Sequence, residues 1–174
     1  MSNKPVVLVA RKASNNPGQF GLVDIVLTAY QLGETTNKIG SIVVNTGAPG
    51  HQVFRTIRNE RKGQLEPCPE GVFHLGPLEW AEKPKMVDGK LRYNYDAQFA
   101  SIQSPIWMMI DPRRAIGFHL DGNRRFAPGS AGCLVFKTDA DMKKFVNWYN
   151  GFGPFQTLYC DWGLGSIKVP DNLR

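Results

Sequence analysis

Two residues in this chain have the chemistry of a nucleophile and its base: Cys133, and His119 fourteen positions before it. A thiol with an ordinary pKa of about 8.5 is only a few per cent thiolate at neutral pH, so a catalytic cysteine needs a base or a positive field beside it. Histidine supplies the base. The stretch that holds them, Asp111 to Phe136, reads DPRRAIGFHLDGNRRFAPGSAGCLVF, with strand-like apolar residues around each and a turn-rich loop between. Gly132, directly before the cysteine, leaves room for backbone N–H groups to point at the oxyanion formed when a carbonyl is attacked. Ser130-Ala131-Gly132-Cys133 then serves as both nucleophile turn and oxyanion hole. Asp121 suits two roles, orienting His119 or closing an Asp-Gly-Asn turn. The competing reading is a buried structural thiol, since free cysteine is among the most buried residue types. Histidine before cysteine excludes the papain-like order, and the caspase cysteine sits in a different local signature with its histidine much further upstream.

Other chemistries have less behind them. His51, His74 and His119 show no HxH or HxxxH spacing, which argues against a metal hydrolase, and the reading calls for no metal or cofactor. Cys68, Cys133 and Cys160 are odd in number and lack a CxxC pair, so neither a disulfide framework nor a zinc knuckle is indicated. The net charge of +6 comes from small basic groups: Arg55, Arg58, Arg61 and Lys62, then Arg113 and Arg114, then Arg124 and Arg125. Such a surface suits a polyanion, either nucleic acid or an anionic cell envelope, or is simply solvated charge. A nucleic-acid-binding domain has only this charge in its favour, lacks clustered aromatic and basic motifs, and predicts steep salt dependence. No apolar run approaches the roughly 18 residues of a membrane span. Val6 to Ala10 is too short for a secretory apolar region of about 7–15 residues, so the chain is expected to carry no export signal of its own.

The 174 residues suit a single domain, spanning 1–174, with its own core. Strands are expected at Val6–Val9, Leu22–Tyr30 and Ile39–Asn45, the second alternating Val23, Ile25 and Leu27 against Asp24 and Thr28, with a hairpin joining the last two. Arg55 to Gly63 reads as an exposed excursion. Val72–Leu75 follows a Pro-Cys-Pro turn, Glu79–Gly89 reads as a loop, and Leu91–Tyr95 and Pro105–Ile110 as strands. The run Ile106 to Met109 is read as core. One helix is expected, capped by Thr138 and stopped by Gly151, with Met142, Phe145, Val146 and Tyr149 on one face. Phe155–Tyr159 and Ser166–Val169 return to strand character. Many short strands, Gly/Pro turns and one helix after Cys133 predict a mainly β, sandwich or barrel-like domain.

These residues resemble the L,D-transpeptidase catalytic domain of bacterial peptidoglycan metabolism. Gly117-Phe118-His119 followed by Ser130-Ala131-Gly132-Cys133 is similar to that family's histidine, loop and Ser/Thr-His-Gly-Cys pattern. Upstream, Val43 to Gly50 is similar to its strand and Gly-x-Pro-Gly turn, and Pro69-Glu70-Gly71-Val72-Phe73 to its Thr-Pro-x-Gly-x-Phe signature. The resemblance covers roughly Ile39 to Val169. Ala131 stands where the family has a histidine, Leu120 where it often has glycine or serine, and the loop before Ser130 is shorter.

The resemblance implies an enzyme in which Cys133, with His119 as base, attacks an L,D-peptide bond of a stem peptide. His119 would be oriented by the Leu120 main-chain carbonyl, and the Gly132 and Cys133 N–H groups would hold the oxyanion. The thioester would pass to an amine or to water. Ser130, Arg113, Arg114, Arg124 and Arg125 would contact the substrate, the arginines through its carboxylates. A wall enzyme starting at Met1 without a signal suggests a bacteriophage protein, acting on the cell wall after lysis or as part of a virion, or a signal removed in cloning. The alternative is a catalytically inactive virion or wall-binding protein on the same fold, with other virion proteins as partners.

Overall fold

The computed structural model describes residues 4–61, 63–95, 98–100 and 103–174; Lys62, counted above among the basic residues, lies outside them. Twelve strands are formed among the described residues: β1 (Val6–Lys12), β2 (Ile25–Gln31), β3 (Asn37–Asn45), β4 (Gly71–His74), β5 (Leu78–Trp80), β6 (Lys85–Val87), β7 (Lys90–Tyr95), β8 (Gln98–Ala100), β9 (Ile106–Asp111), β10 (Ile116–Leu120), β11 (Leu134–Phe136) and β12 (Phe155–Asp161). Helix α1 (Asp139–Phe152) lies between β11 and β12. Nine strands form one sheet in the order β4-β12-β1-β2-β3-β11-β10-β9-β5, and β6, β7 and β8 form a small second one. Pairing in the large sheet is antiparallel except at β1/β12 and β10/β11.

The sheet curls into a half-barrel because its two edge strands, β4 and β5, are consecutive in the chain. Only Leu75, Gly76 and Pro77 join them, and this link is tied to both edges: Leu75 N–H donates to Gln156 O and Gly76 N–H to Met109 O. Helix α1 lies against β3, β10 and β11. Thr138 caps its first turn, its hydroxyl accepting from the Asp141 N–H, and Asp139 and Asp141 sit at the positive end of the helix dipole. Phe145 packs against Phe118, Phe136 and Phe155 with ring centroids 4.8–5.0 Å apart, which makes the helix the lid of the main core. Alternation along β1 sends Val6, Leu8 and Ala10 into that core, while Val7 and Val9 meet Tyr30, Val169 and Leu173 in a smaller cluster.

The architecture is mainly β with one helix after Cys133, and β2 and β3 pair as an antiparallel hairpin. Four local expectations are corrected. Leu22 to Asp24 precede β2, because the Val23 N–H and C=O are engaged by the Gln52 and Asn45 side chains instead of a neighbouring strand. Glu79–Gly89 is no loop, since β5 adds to β9 and β6 pairs with β7. Gly151 lies inside α1; the terminator is Gly153, whose φ of 106° suits a residue without a Cβ. Ser166–Val169 forms no strand, and the Ser166 N–H goes to a side chain instead of a neighbouring strand. The side chain of Glu70, only 1% exposed, accepts the N–H groups of Trp162, Leu164 and Ser166 and the Ser166 hydroxyl, so this tail wraps a carboxylate. The Arg55–Gly63 excursion contains one short turn of helix, Ile57–Asn59, and stays outside the sheet.

Candidate functional site

Strand β10 delivers His119 and the start of β11 delivers Cys133. The two strands are parallel neighbours with Phe118 opposite Leu134 and His119 opposite Val135, so Cys133 continues the register opposite Gly117. Side chains alternate across a strand, which puts Phe118 and Leu134 on the helix side and His119 and Cys133 together on the other. Both are nearly covered, at 7% and 9% exposure. They line one cavity of about 480 Å³, walled by Ala48, Pro49, Leu65, Pro128 and Ala131.

His119 is held in one tautomer. Its Nδ1 lies 2.8 Å from the Leu120 carbonyl, which can only accept, so Nδ1 carries the proton and Nε2 is free to act as base. The Leu120 peptide is itself anchored, its N–H donating to the buried Ser104 hydroxyl at 2.9 Å. Trp107, on β9, stacks on the imidazole at a centroid distance of 5.9 Å and an interplanar angle of 20°. Burial pushes the His119 pKa below its usual value, against the opposing effects of the Leu120 carbonyl and the Asp121 charge, so the ring is neutral at pH 7.

Burial likewise pushes the Cys133 thiol up to about 11, although the Gly117 N–H, facing the sulfur, works the other way. The resting pair is therefore a neutral thiol and a neutral imidazole, with no hydrogen bond between them. Such a pair reacts by proton transfer during attack, not from a standing thiolate.

The loop between them is tied down residue by residue. Asp121 accepts the Gly129 N–H at 2.9 Å and pairs with Arg124 at 3.1 Å. It shapes the loop, and His119 takes its orienting bond from Leu120. Ser130 donates its hydroxyl to the Cys133 carbonyl at 2.6 Å, and its N–H to Gly47 O. Thr46, fully buried, donates to Gly132 O and accepts the Cys68 N–H. Gly132 has φ 111°, a conformation that side chains resist, and the Cys133 N–H faces its own sulfur.

The arginines divide into two groups. Arg114 bridges Glu60 and Asp111, and Arg124 bridges Asp121 and the Asn45 side chain. Both are committed within the fold. Arg113 and Arg125 have no acidic partner among the described residues. Arg113 and Arg114 border a cleft beside Gly132, whereas Arg124 and Arg125 border a separate depression with Phe20 and Phe126. His74 borders a different depression from His119, and no group of three metal-ligating side chains occurs among the described residues.

Trp107 and Ser104 lie outside every motif read from the sequence, whereas Gly117 and Thr46 stand inside two of them with no role assigned. Gly117 carries a usable signal in retrospect, since it alternates with His119; a Cβ there would meet Met108 O at 2.5 Å and Trp107 Cζ2 at 2.7 Å. Trp107 was legible only as one of a run of core residues. No family model, curated protein or solved structure matches this chain.

Proposed function

We propose that this chain is a cysteine-dependent acyl-transfer enzyme of the L,D-transpeptidase type, acting on L,D-peptide bonds of peptidoglycan stem peptides. The observation that carries this reading is that His119 and Cys133 line one cavity, with the imidazole fixed so that Nε2 is the free nitrogen. The motif resemblance supplies the substrate class. The Cys133 proton passes to His119 Nε2 as Sγ bonds to the scissile carbonyl carbon, with the Gly132 and Cys133 N–H groups facing the oxyanion. His119 then returns that proton to the leaving nitrogen as the C–N bond breaks. The thioester passes to an amine, which forms a cross-link, or to water, which completes hydrolysis. Phage-associated wall remodelling or degradation is the setting we infer.

Intact-mass analysis tests the nucleophile. Wild-type protein incubated with a carbapenem, or with muropeptides, gains a covalent adduct that Cys133→Ala lacks, and His119→Gln slows its formation by about 10²–10⁴-fold. No Cys133-dependent adduct and unaltered muropeptides would leave the inactive wall-binding or virion role. A supplied D-amino acid separates exchange from hydrolysis.

A further inference from the structure

The mechanism uses one of three cysteines, and the fold brings the other two together. Cys68 lies in the segment before β4 and Cys160 on β12, 92 positions apart in sequence, with their sulfurs 3.7 Å from each other. Both residues are fully buried. A disulfide holds its sulfurs at about 2.0 Å, so an approach of roughly 1.7 Å separates this contact from a covalent bond. The surroundings keep both sides within reach. Cys160 sits inside the large sheet, opposite Ala10 of β1 and Gly71 of β4. The main chain of Cys68 is fixed at both its polar groups: its N–H donates to the Thr46 hydroxyl at 2.9 Å, and its carbonyl accepts the Trp162 indole N–H at 2.8 Å.

The same contact reaches the nucleophile turn. Thr46 donates its own hydroxyl to Gly132 O at 3.0 Å, so one side chain links the Cys68 peptide to the residue before Cys133. Cys133 lines the His119 cavity, whereas Cys68 borders the cleft beside Gly132. The nucleophile and the pair therefore face different spaces.

We propose that Cys68 and Cys160 close a disulfide in oxidising surroundings, stapling β12 to the segment that braces the nucleophile turn and leaving Cys133 as the free thiol. The oxidant is a small disulfide such as that of glutathione. Cys68, as the thiolate, attacks one of its sulfurs and releases one glutathione; Cys160 then loses its proton, attacks the Cys68 sulfur and releases the second. Two electrons leave the protein pair, and the two thiol protons end on the two glutathiones. Burial and the adjacent Cys160 thiol raise the Cys68 pKa, so this exchange proceeds when the segment opens, during folding or near the unfolding transition. A cross-link over so long a loop restricts the unfolded chain strongly and stabilises the fold. The wall setting proposed above lies outside the reducing cytosol, where such bonds persist, but the staple does not depend on the acyl-transfer reading.

The experiment holds full-length Cys133→Ala protein just below its unfolding midpoint with glutathione disulfide, beside a sample kept in excess dithiothreitol. After oxidation the protein is expected to lose two hydrogen masses, to take no alkylating label once denatured, and to yield a peptide in which Cys68 is linked to Cys160. Its unfolding temperature rises by about 5–15 °C over the reduced sample, and dithiothreitol reverses the gain. Wild-type protein treated in the same way gives the same linked peptide, with Cys133 recovered as a thiol or as its glutathione adduct. Two free thiols after oxidation, glutathione left on Cys68 or Cys160 without ring closure, a bond from either to Cys133, or an unfolding temperature that does not rise overturns the proposal. None of these readouts uses acylation of Cys133, so failure of the staple and failure of the acyl-transfer reading are separate results.

Discussion

At the scale of single residues, the site is a neutral acid and a neutral base set side by side. Burial disfavours both the imidazolium of His119 and the thiolate of Cys133. The sign of each shift predicts the pH behaviour. A depressed His119 pKa keeps the base available down to a pH below about 6.5, so kcat/KM for adduct formation stays level through neutral pH and falls only in more acidic buffer. Without substrate, alkylation of Cys133 by iodoacetamide is slow at pH 7 and climbs with pH toward about 11. Fast alkylation at pH 7 would show a standing thiolate and contradict this resting state. Ala131 adds no polar side chain to the cavity that His119 and Cys133 line.

At the scale of elements, β9, β10 and β11 act as one positioning unit. Gly117 lets Trp107 lie flat against the β10 backbone and stack on His119, and Ser104 holds the Leu120 peptide whose carbonyl holds the ring. Gly117→Ala places a methyl group 2.5 Å from a main-chain oxygen, which cannot move without disturbing the β9/β10 ladder. The expected result is a lowered unfolding temperature, altered tryptophan fluorescence and a slower Cys133 adduct. Ser104→Ala leaves the part-buried Leu120 N–H without its partner and is expected to cost about 1–3 kcal/mol in denaturant titration. Wild-type stability and adduct rate in these variants would mean that the strands hold His119 without either support. The arginine pairs were unreadable at this scale, because Glu60 lies 54 positions from Arg114 and Asn45 lies 79 from Arg124.

At the scale of the whole molecule, Glu70 joins the segment before β4 to the tail after β12, across 92 to 96 positions of sequence. Burial alone would raise its pKa, but the donors of Leu164, Ser166 and Trp162 outweigh that and hold it below the usual carboxylate range. A carboxylate with a depressed folded pKa stabilises the fold fully above its unfolded value of about 4.5, and that contribution is lost as pH falls through the folded value. Unfolding temperature is therefore expected to drop in acid more for wild type than for Glu70→Gln, with the variant less stable at pH 7. Parallel acid profiles for the two proteins would show that Glu70 does not carry this linkage. No helix among the described residues is long and apolar enough to cross a membrane.

The sequence by itself determined the β-rich class and the single capped helix with its apolar face, because these depend on local periodicity and caps, and it singled out His119 and Cys133 by residue chemistry alone. It placed the helix stop at Gly151, two residues before the local cap at Gly153, and read a strand at Ser166–Val169, where the claim on the Ser166 N–H comes from distant Glu70. Only the tertiary structure decided which arginines are free, that Trp107 stacks on the imidazole, and that β10 and β11 run parallel so that histidine and cysteine share a face. The physical reason is that strand pairing, ion pairing and burial are contacts between residues far apart in the chain, and a period of two along a strand does not say which strand will lie beside it.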